Sequence, residues 1–288
     1  LVAWFRSGRV CPLVAQVKQQ PKVHPAKYKK IFMRANGSQL DLVDVYRGQT
    51  AFLVASGPSF ANVDKEMLHR PGIVTLAVNN AGHLFRPTLW TAQDPPHKFM
   101  ASIWQDPKIT KFTLFDYRRK YYWDNHAGQM GTVQIGDCPN VVFHHRDSKF
   151  NASDWLLRDR VCWGDPKTLD DGSAGSRCVL MAALHILYFL GFAKVYLVGV
   201  DFTMSDQNKY WFEQDRTSAA IRNNHRVYKY MSKHLAALQP YLLEAGFKVF
   251  NCNPESELKA FPFYPLDKAV AENEIKLTES TKGMYERK

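Results

Sequence analysis

Residues 51–58 read A-F-L-V-A-S-G-P and are followed directly by Ser59. The first five of these residues are mostly apolar, as in a parallel strand that is buried on both faces. Residues 56–59 then end the strand abruptly. A strand, a glycine turn and a helix start in this order form a phosphate site in open α/β sheets, although an ordinary connection between a strand and a helix has the same pattern.

The turn after this strand has three properties that suit an anionic ligand. Gly57 has no Cβ, so a ligand can approach the backbone closely. Pro58 fixes its own φ and has no N–H. Ser59 can cap a helix that opens near Phe60, where free N–H groups and the helix dipole attract negative charge.

Two further apolar stretches also end in polar residues. Residues 73–78 are followed by N-N at 79–80, and residues 88–92 are followed by Q-D-P at 93–95. Open α/β sheets bind ligands outside the carboxyl ends of their strands, so three such ends predict a nucleotide site, although Asn and Asp also simply favour turns. The residues predicted to bind the nucleotide here are Ser56, Gly57, Pro58, Ser59, Asn79, Asn80 and Asp94.

A second glycine-containing turn precedes an apolar helix later in the chain. The sequence L-D-D-G-S-A-G-S, residues 169–176, leads into a predicted helix at 177–190, and Gly191 ends it. A buried strand at 195–200 follows and is closed by Asp201. Because helix N-termini attract anions, this turn is a second candidate phosphate loop.

The remaining pattern predicts an α/β protein with a mostly parallel sheet flanked by helices and covered by a lid. Further strands are expected at 112–115, 140–143 and 247–250, and a long helix at 223–245, which Pro240 is expected to kink or divide. The predicted organisation is a peripheral arm at 1–45, a nucleotide-binding domain at 46–270 with a lid at about 203–224, and a polar tail at 271–288.

Charge and cysteine content restrict the class of protein. The net charge of +11 over 288 residues favours an anionic partner such as a nucleotide, a nucleic acid or a charged surface, or only keeps the surface solvated. The five cysteines are widely spaced and form no C-x-x-C pair, which argues against a zinc site or a disulfide framework and for a reducing, cytoplasmic location. No signal-peptide pattern is visible, and Gly191 and Lys194 interrupt the apolar stretch 178–200, so no transmembrane segment is predicted.

The run at 117–126 mixes basic and aromatic residues, a pattern that holds phosphates and bases or covers the edge of a core. His144 and His145 have no further His or Cys at metal-binding spacing, and no D-x-D motif follows a strand. We therefore predict a reaction without a bound metal ion or other cofactor.

The order of the motifs resembles a known family. V-A-S-G-P-S-F, V-N-N, Q-D-P, G-S-A-G-S-R, Y-L-V-G-V-D-F and N-C-N-P-E-S-E-L-K-A-F are similar to motifs of bacterial lipo-oligosaccharide sialyltransferases. The wider set includes flagellin-modifying motility accessory factors and the archaeal hydroxymethylpterin pyrophosphokinase, and phage proteins have a similar pattern. The resemblance covers about residues 51–265 and implies a Rossmann-like, GT-A-like sheet with a lid and a CMP-activated sugar donor used without a metal.

The resemblance also implies roles for single residues. The turn at 57–59 would approach the nucleotide phosphate and ribose, Asn79 would contact the donor, and Asp94 takes the place of an asparagine that reads the nucleotide. The other implied site residues are Ser173, Ala174 and Gly175 beside the cytidine or its phosphate, Tyr210 on the leaving phosphate, Thr203 in the place of a second tyrosine, and His225 as the match to a catalytic histidine. This sequence departs from the family at Ser56 and Ala174, where the family has an asparagine and a serine, and it lacks the arginine that precedes the family's turn.

We therefore predict a glycosyltransferase that moves a sugar, such as a sialic-acid-like one, from a nucleotide donor to a glycan, a protein or DNA. Histidine ordinarily titrates near neutral pH, which suits His225 as the general base. Asp201 is predicted among the nucleotide-binding residues, and its carboxylate either takes part in catalysis or caps a loop. Basic candidates for a phosphate are Arg177, Arg222, Arg226 and Lys229. The alternatives are a pterin-type pyrophosphokinase using ATP and Mg²⁺, a DNA-modifying glycosyltransferase, and a non-catalytic phage protein that binds nucleotides or nucleic acid; a homo-oligomer is left open.

Overall fold

The computed structural model describes residues 31–164, 177–205, 210–215, 217–277, 280 and 282. Thirteen strands occur in this part of the chain: β1 Phe32–Met33, β2 Gln39–Leu40, β3 Thr50–Val54, β4 Val74–Val78, β5 Leu89–Thr91, β6 Thr110–Leu114, β7 Tyr121–Asp124, β8 Gln129–Gln134, β9 Val141–His144, β10 Arg146–Asp147, β11 Val161–Cys162, β12 Lys194–Val198 and β13 Lys248–Asn251. The α-helices are α1 Ala81–Leu84, α2 Ala101–Gln105, α3 Val179–Phe189, α4 Ser218–Glu244 and α5 Leu266–Asn273.

Nine strands form one central sheet, in the order β13-β12-β3-β4-β5-β6-β9-β1-β2. The strands from β13 to β9 pair in parallel, and β1 and β2 add an antiparallel edge. The chain progresses from β3 towards β9 in one direction and later adds β12 and β13 on the other side of β3. The predicted mostly parallel α/β sheet is therefore confirmed, and its order reverses between β3 and β12, where such sheets bind ligands.

The sheet is buried on both faces because its strands alternate between two cores. In β3, Leu53 packs with the α3 and α4 side, whereas Phe52 and Val54 pack on the opposite side with α5. Buried leucines of α4 at positions 235, 238 and 242 follow helical spacing and fix this long helix on the first face. Two layers of helices thus hold the carboxyl ends of the central strands in fixed positions.

Four elements differ from the sequence prediction. The helix α4 begins at Ser218, because the Thr217 side chain caps it by accepting a hydrogen bond from Ala220 N (3.2 Å), so the end of the predicted lid is helical. It also continues through Pro240, which is exposed while leucines on either side hold the helix on the core. The predicted arm contributes β1 and β2 to the sheet, and the run at 117–126 forms β7 of a hairpin.

None of the helices in the described ranges is long and apolar enough to cross a bilayer. The apolar stretch at 178–200 divides as predicted into α3 and β12, and Gly191 between them has a φ of +91°. This φ lies in the left-handed region that favours glycine, and a Cβ at this position would lie 2.8 Å from Asp44 Cα.

Candidate functional site

A cleft with a volume of about 690 Å³ opens at the carboxyl ends of β3, β4, β5 and β12. The first turn of α3 and the N-terminal part of α4 complete its walls. Of the predicted site residues, those that line it are Ser56, Gly57, Asn79, Asn80, Asp94, Asp201, Thr203 and Tyr210. The structure thus brings most of the predicted strand-end residues together at one place, as expected for the switch point of an open sheet.

The turn after β3 is joined to the residues after β12 by hydrogen bonds. Gly57 N donates to Gly199 O (2.8 Å), and Ser59 N donates to Asp201 Oδ2 (2.8 Å). Ser59 Oγ and Asn253 Nδ2 (2.8 Å) both donate to Asp201 Oδ1. The buried carboxylate of Asp201 therefore has three donors and lies at the start of the short 3₁₀ helix Pro58–Asn62.

These contacts give the turn a structural role. The sequence predicted that a ligand phosphate approaches Gly57 and the helix start, but the anion found there is the protein's own Asp201. A Cβ on Gly57 would lie 2.4 Å from Gly199 O and 2.6 Å from Asp201 Oδ2, so glycine is required by the protein backbone itself. Pro58 and Ser59 do not line the cleft, whereas Ser56 and Gly57 do.

The residues after β4 and β5 form a different wall, which we call the amide wall: Asn79, Asn80 and Gln93. Asn79 adopts a φ of +51°, and its backbone is fixed by Thr91 O (3.1 Å, from Asn79 N) and by Trp90 Nε1 (2.8 Å, to Asn79 O). Among the described residues, four buried side-chain atoms of this wall have no hydrogen-bond partner: Asn79 Oδ1, Asn80 Oδ1, Gln93 Nε2 and Gln93 Oε1. Buried polar groups are almost always satisfied, so these atoms mark a place for a ligand or ordered water.

Gln93 is a site residue that the sequence prediction left out. Its side chain is only 2% exposed, and it follows β5 directly, between the strand and the predicted Asp94. Its position in Q-D-P was the available signal. Asp94 itself is half exposed and lies 3.4 Å from Lys98 Nζ.

The residues at 210–215 lie over the cleft near the β3 turn. Trp211 N donates to Ser56 O (3.3 Å), and the Trp211 ring packs edge-on against Phe60 with centroids 5.0 Å apart. The Tyr210 ring stacks on Phe212 at 5.4 Å. Across the cleft, Asn80 Nδ2 donates to Gln214 Oε1 (3.5 Å), so this segment contacts both walls.

The predicted base His225 lies outside the lining of the cleft. Its side chain is exposed, and Nε2 lies 2.5 Å from Met204 O. Helical geometry explains the difference, because Asn224, Val227 and Tyr228 of α4 line the cleft and His225 projects to one side of them. The structure therefore places His225 beside the cleft and not in its lining.

The other basic residues predicted on this helix also lie away from the cleft. Together with Lys233 they form one exposed row along α4, which we call the basic row: Arg222, Arg226, Lys229 and Lys233. The only acidic residue of α4 is Glu244 at its end. The row is therefore a solvent-facing positive surface and not a wall of the site.

The remaining predicted site residues, Ser173, Ala174 and Gly175, lie outside the described residues. Within the described ranges, no three His, Cys, Asp or Glu side chains are close enough to hold a metal ion together. His144 is completely buried, and burial lowers its pKa from 6.5 to about 4, so it is neutral at physiological pH.

No protein-family model matches the chain, and no curated protein sequence matches it. Among solved structures, the chain is similar to the MAf glycosyltransferase of Magnetospirillum magneticum AMB-1, with a TM-score of 0.43 and 14% identity over 91% of this chain and 39% of that one. It is also similar to the sialyltransferase CstII of Campylobacter jejuni, solved with the substrate analogue cytidine-5'-monophosphate, with a TM-score of 0.34 and 12% identity over 75% of this chain and 85% of that one.

The kinds of protein named in these two comparisons are those that the sequence motifs resemble. The identities are low, and this chain spans well under half of the Magnetospirillum protein. The likeness therefore concerns the fold alone.

Proposed function

We propose that the protein is a glycosyltransferase that uses a nucleotide-activated sugar without a bound metal ion. The observation that carries the proposal is the amide wall, because its unpartnered Asn and Gln atoms lie beside the switch point of the sheet. Amide groups both donate and accept, which suits the edge of a base and the hydroxyls of a ribose or a sugar. The ordered sequence motifs supply the reaction type.

The general base is better assigned to Asp94 than to His225. Among the described residues, two carboxylates line the cleft, and that of Asp201 already accepts three hydrogen bonds. Asp94 has an exposed carboxylate whose nearest cation is Lys98 at 3.4 Å. A carboxylate that can reach the acceptor hydroxyl can remove its proton as the glycosidic bond forms.

The donor is proposed to be a CMP-linked sugar, and the acceptor is a glycan, a protein or DNA. Tyr210, which lines the cleft, is placed to contact the leaving phosphate. A phenol donates to a phosphate oxygen without adding a formal charge to the site. The segment at 210–215 would reduce the access of water to the donor, which limits its hydrolysis.

The first experiment is a thermal-shift and calorimetric panel of CMP, UDP, GDP and ATP, with and without Mg²⁺, followed by donor consumption assays with the corresponding sugar nucleotides. We expect binding of one nucleotide without Mg²⁺ and release of that nucleotide from its sugar donor in EDTA. Conversion of ATP to AMP that requires Mg²⁺ would instead identify a pyrophosphokinase. Nucleotide binding without any turnover would support a non-catalytic protein.

The second experiment separates the two candidate bases. Asp94→Asn should keep nucleotide affinity and reduce kcat by about 10²–10⁴-fold, whereas His225→Ala should keep near-parental kcat. Lys98→Gln is the matched control, because it removes the ionic neighbour of Asp94 but not the carboxylate. Loss of turnover in His225→Ala alone would return the role to the histidine.

A further inference from the structure

Two arginines meet on one indole ring at the α3 end of the cleft. The guanidinium carbon of Arg146 lies 4.0 Å from the ring centroid of Trp163, and that of Arg177 lies 5.4 Å from it. The backbone holds this group together, because Gly164 and Arg177 form a β-bridge and Cys178 N donates to Trp163 O (2.8 Å). Trp163 and Arg177 line the cleft, and Arg146 packs behind them.

Among the described residues, no carboxylate forms an ion pair with either arginine, and Asp116 and Asp94 act on Arg146 only from a greater distance. Burial lowers the pKa of Arg146 from its ordinary value, and the charge of Arg177 acts in the same direction. Two like charges on one ring cost free energy unless an anion binds beside them.

A second observation points to a ligand at the same place. Gln93 is 2% exposed, and both atoms of its amide group lack a partner among the described residues. The backbone carbonyl of Gln93 accepts hydrogen bonds from Arg146 Nη1 (3.2 Å) and from the Tyr117 hydroxyl (3.3 Å), and these two bonds fix its backbone position. The unpartnered amide, the indole and Arg177 all line the same cleft.

We propose that Arg177 binds a negatively charged oxygen group of the substrate. Its guanidinium packs on the Trp163 ring, which Arg146 also contacts. The oxygen group is a phosphate of the nucleotide or a carboxylate of a sugar, and the proposal rests on the proposed nucleotide-sugar function. The guanidinium donates charge-assisted hydrogen bonds to the oxygens, and Gln93 Nε2 donates a further one. The start of α3 adds the positive end of a helix dipole at the same end of the cleft.

The test compares charged and neutral ligands on matched variants. Calorimetry would measure the affinity of CMP against cytidine, UMP against uridine and glucuronic acid against glucose. The parent is compared with Arg177→Gln, Arg177→Lys and Arg222→Gln; the last removes an equal charge from the basic row. We expect Arg177→Gln to weaken the charged ligand by about 10- to 100-fold, to leave the neutral ligand unchanged and to reduce the salt dependence of binding.

Each outcome has a distinct meaning. A loss for CMP or UMP assigns the site to the phosphate, and a loss for glucuronic acid assigns it to a sugar carboxylate. Partial retention of affinity in Arg177→Lys and full retention in Arg222→Gln support the proposal. Equal affinity of parent and Arg177→Gln for every charged ligand would overturn it, while failure of the parent to bind any nucleoside or nucleotide would instead count against the proposed function.

Discussion

The turn after β3 and the turns after β4 and β5 contain similar polar residues, but their side chains have different partners. Around the β3 turn, the Asp201 carboxylate accepts hydrogen bonds from Ser59 N, Ser59 Oγ and Asn253 Nδ2. In the amide wall, four buried side-chain atoms have no partner among the described residues. The polar groups around the β3 turn are therefore satisfied by the protein, whereas those of the amide wall are available to a ligand.

The role of a strand-end motif therefore depends on the hydrogen-bond partners of its atoms. The more conspicuous sequence motif, S-G-P-S, links the ends of β3 and β12 by hydrogen bonds. The less conspicuous N-N and Q-D-P turns offer unsatisfied groups. Substitutions at the β3 turn should change stability, and substitutions in the amide wall should change ligand binding.

The largest effect is expected for Asp201→Ala. Removing the carboxylate leaves three donors without their acceptor in a buried place, which should lower the free energy of unfolding by about 4 kcal/mol. Urea unfolding followed by circular dichroism would measure it. Asp94→Ala is the control on the exposed carboxylate and should cost less than about 0.5 kcal/mol. Equal losses of unfolding free energy in the two variants would show that the hydrogen bonds of Asp201 do not stabilise the fold.

A somewhat smaller effect is expected for Gly57→Ala. The new Cβ would lie 2.4 Å from Gly199 O, a backbone atom, so β3 and β12 would have to separate. The cost should be about 3 kcal/mol in unfolding free energy, as for overpacked interiors. Gly48→Ala provides the contrast, because a Cβ there meets no atom within 4 Å and only its φ of +78° is unfavourable. It should lose about 1 kcal/mol, and a larger loss than for Gly57→Ala would argue against a backbone clash.

Acid should lower the free energy of unfolding through two buried histidines. Burial lowers the pKa of His144 to about 4 and that of His185 well below 6.5. The unfolded chain binds these protons below pH 6.5 and the folded chain does not, so stability falls as pH falls from about 6.5 towards 4. Each histidine contributes about 1.4 kcal/mol per pH unit, or about 2 kcal/mol between pH 6.5 and 5.

Unfolding titrations at several pH values would measure this slope. In His185, Nδ1 accepts a hydrogen bond from Cys162 N (3.0 Å), and protonation would remove that acceptor. His144→Gln should reduce the slope of unfolding free energy against pH by about 1.4 kcal/mol per pH unit, the contribution of one proton. His97→Gln, an exposed control, should leave the slope unchanged. A pH-independent stability across this range would contradict the burial of neutral histidines.

The smallest effect on stability is expected for Gln93→Met. The substitution keeps the length of the side chain and removes two unpartnered polar atoms, so the free energy of unfolding should change by less than about 0.5 kcal/mol or rise. The affinity for the nucleotide should nevertheless fall by about tenfold. Thermal unfolding and calorimetry of the same sample would test both statements. A clear loss of stability would show that the Gln93 side chain has structural partners, as the residues around the β3 turn do.

The sequence predicted the central sheet well because its strands are short apolar runs followed by polar turns. β3, β4, β5, β6, β9, β12 and β13 all lie within a few residues of their predicted positions. It did not predict β1 and β2 as edge strands of the sheet, because each is only two residues long. It also did not predict the separate β7–β8 hairpin, most of whose residues are exposed or half-buried. The helix start at Ser218 was missed because one side-chain cap at Thr217 decided it.

The site was predictable in place but not in detail. Polar residues after parallel strands converge in any such sheet, so most of the predicted lining residues are near one another. Whether Ser59 serves a ligand or Asp201 depends on an approach between residues 142 positions apart, which no local pattern contains. The same holds for His225, whose direction depends on the rotation of α4 about its axis.

The basic row of α4 has a practical consequence for every ligand measurement on this protein. An exposed line of guanidinium and ammonium groups accumulates counterions, and a polyphosphate or a nucleic acid contaminant can displace them and bind there. Such binding weakens steeply as ionic strength rises, because the Debye length shortens to about 10 Å at 0.1 M salt. Ligands held in the cleft are screened less than ligands on the exposed surface, so a titration with sodium chloride would distinguish attraction to the outside of α4 from recognition at the strand ends.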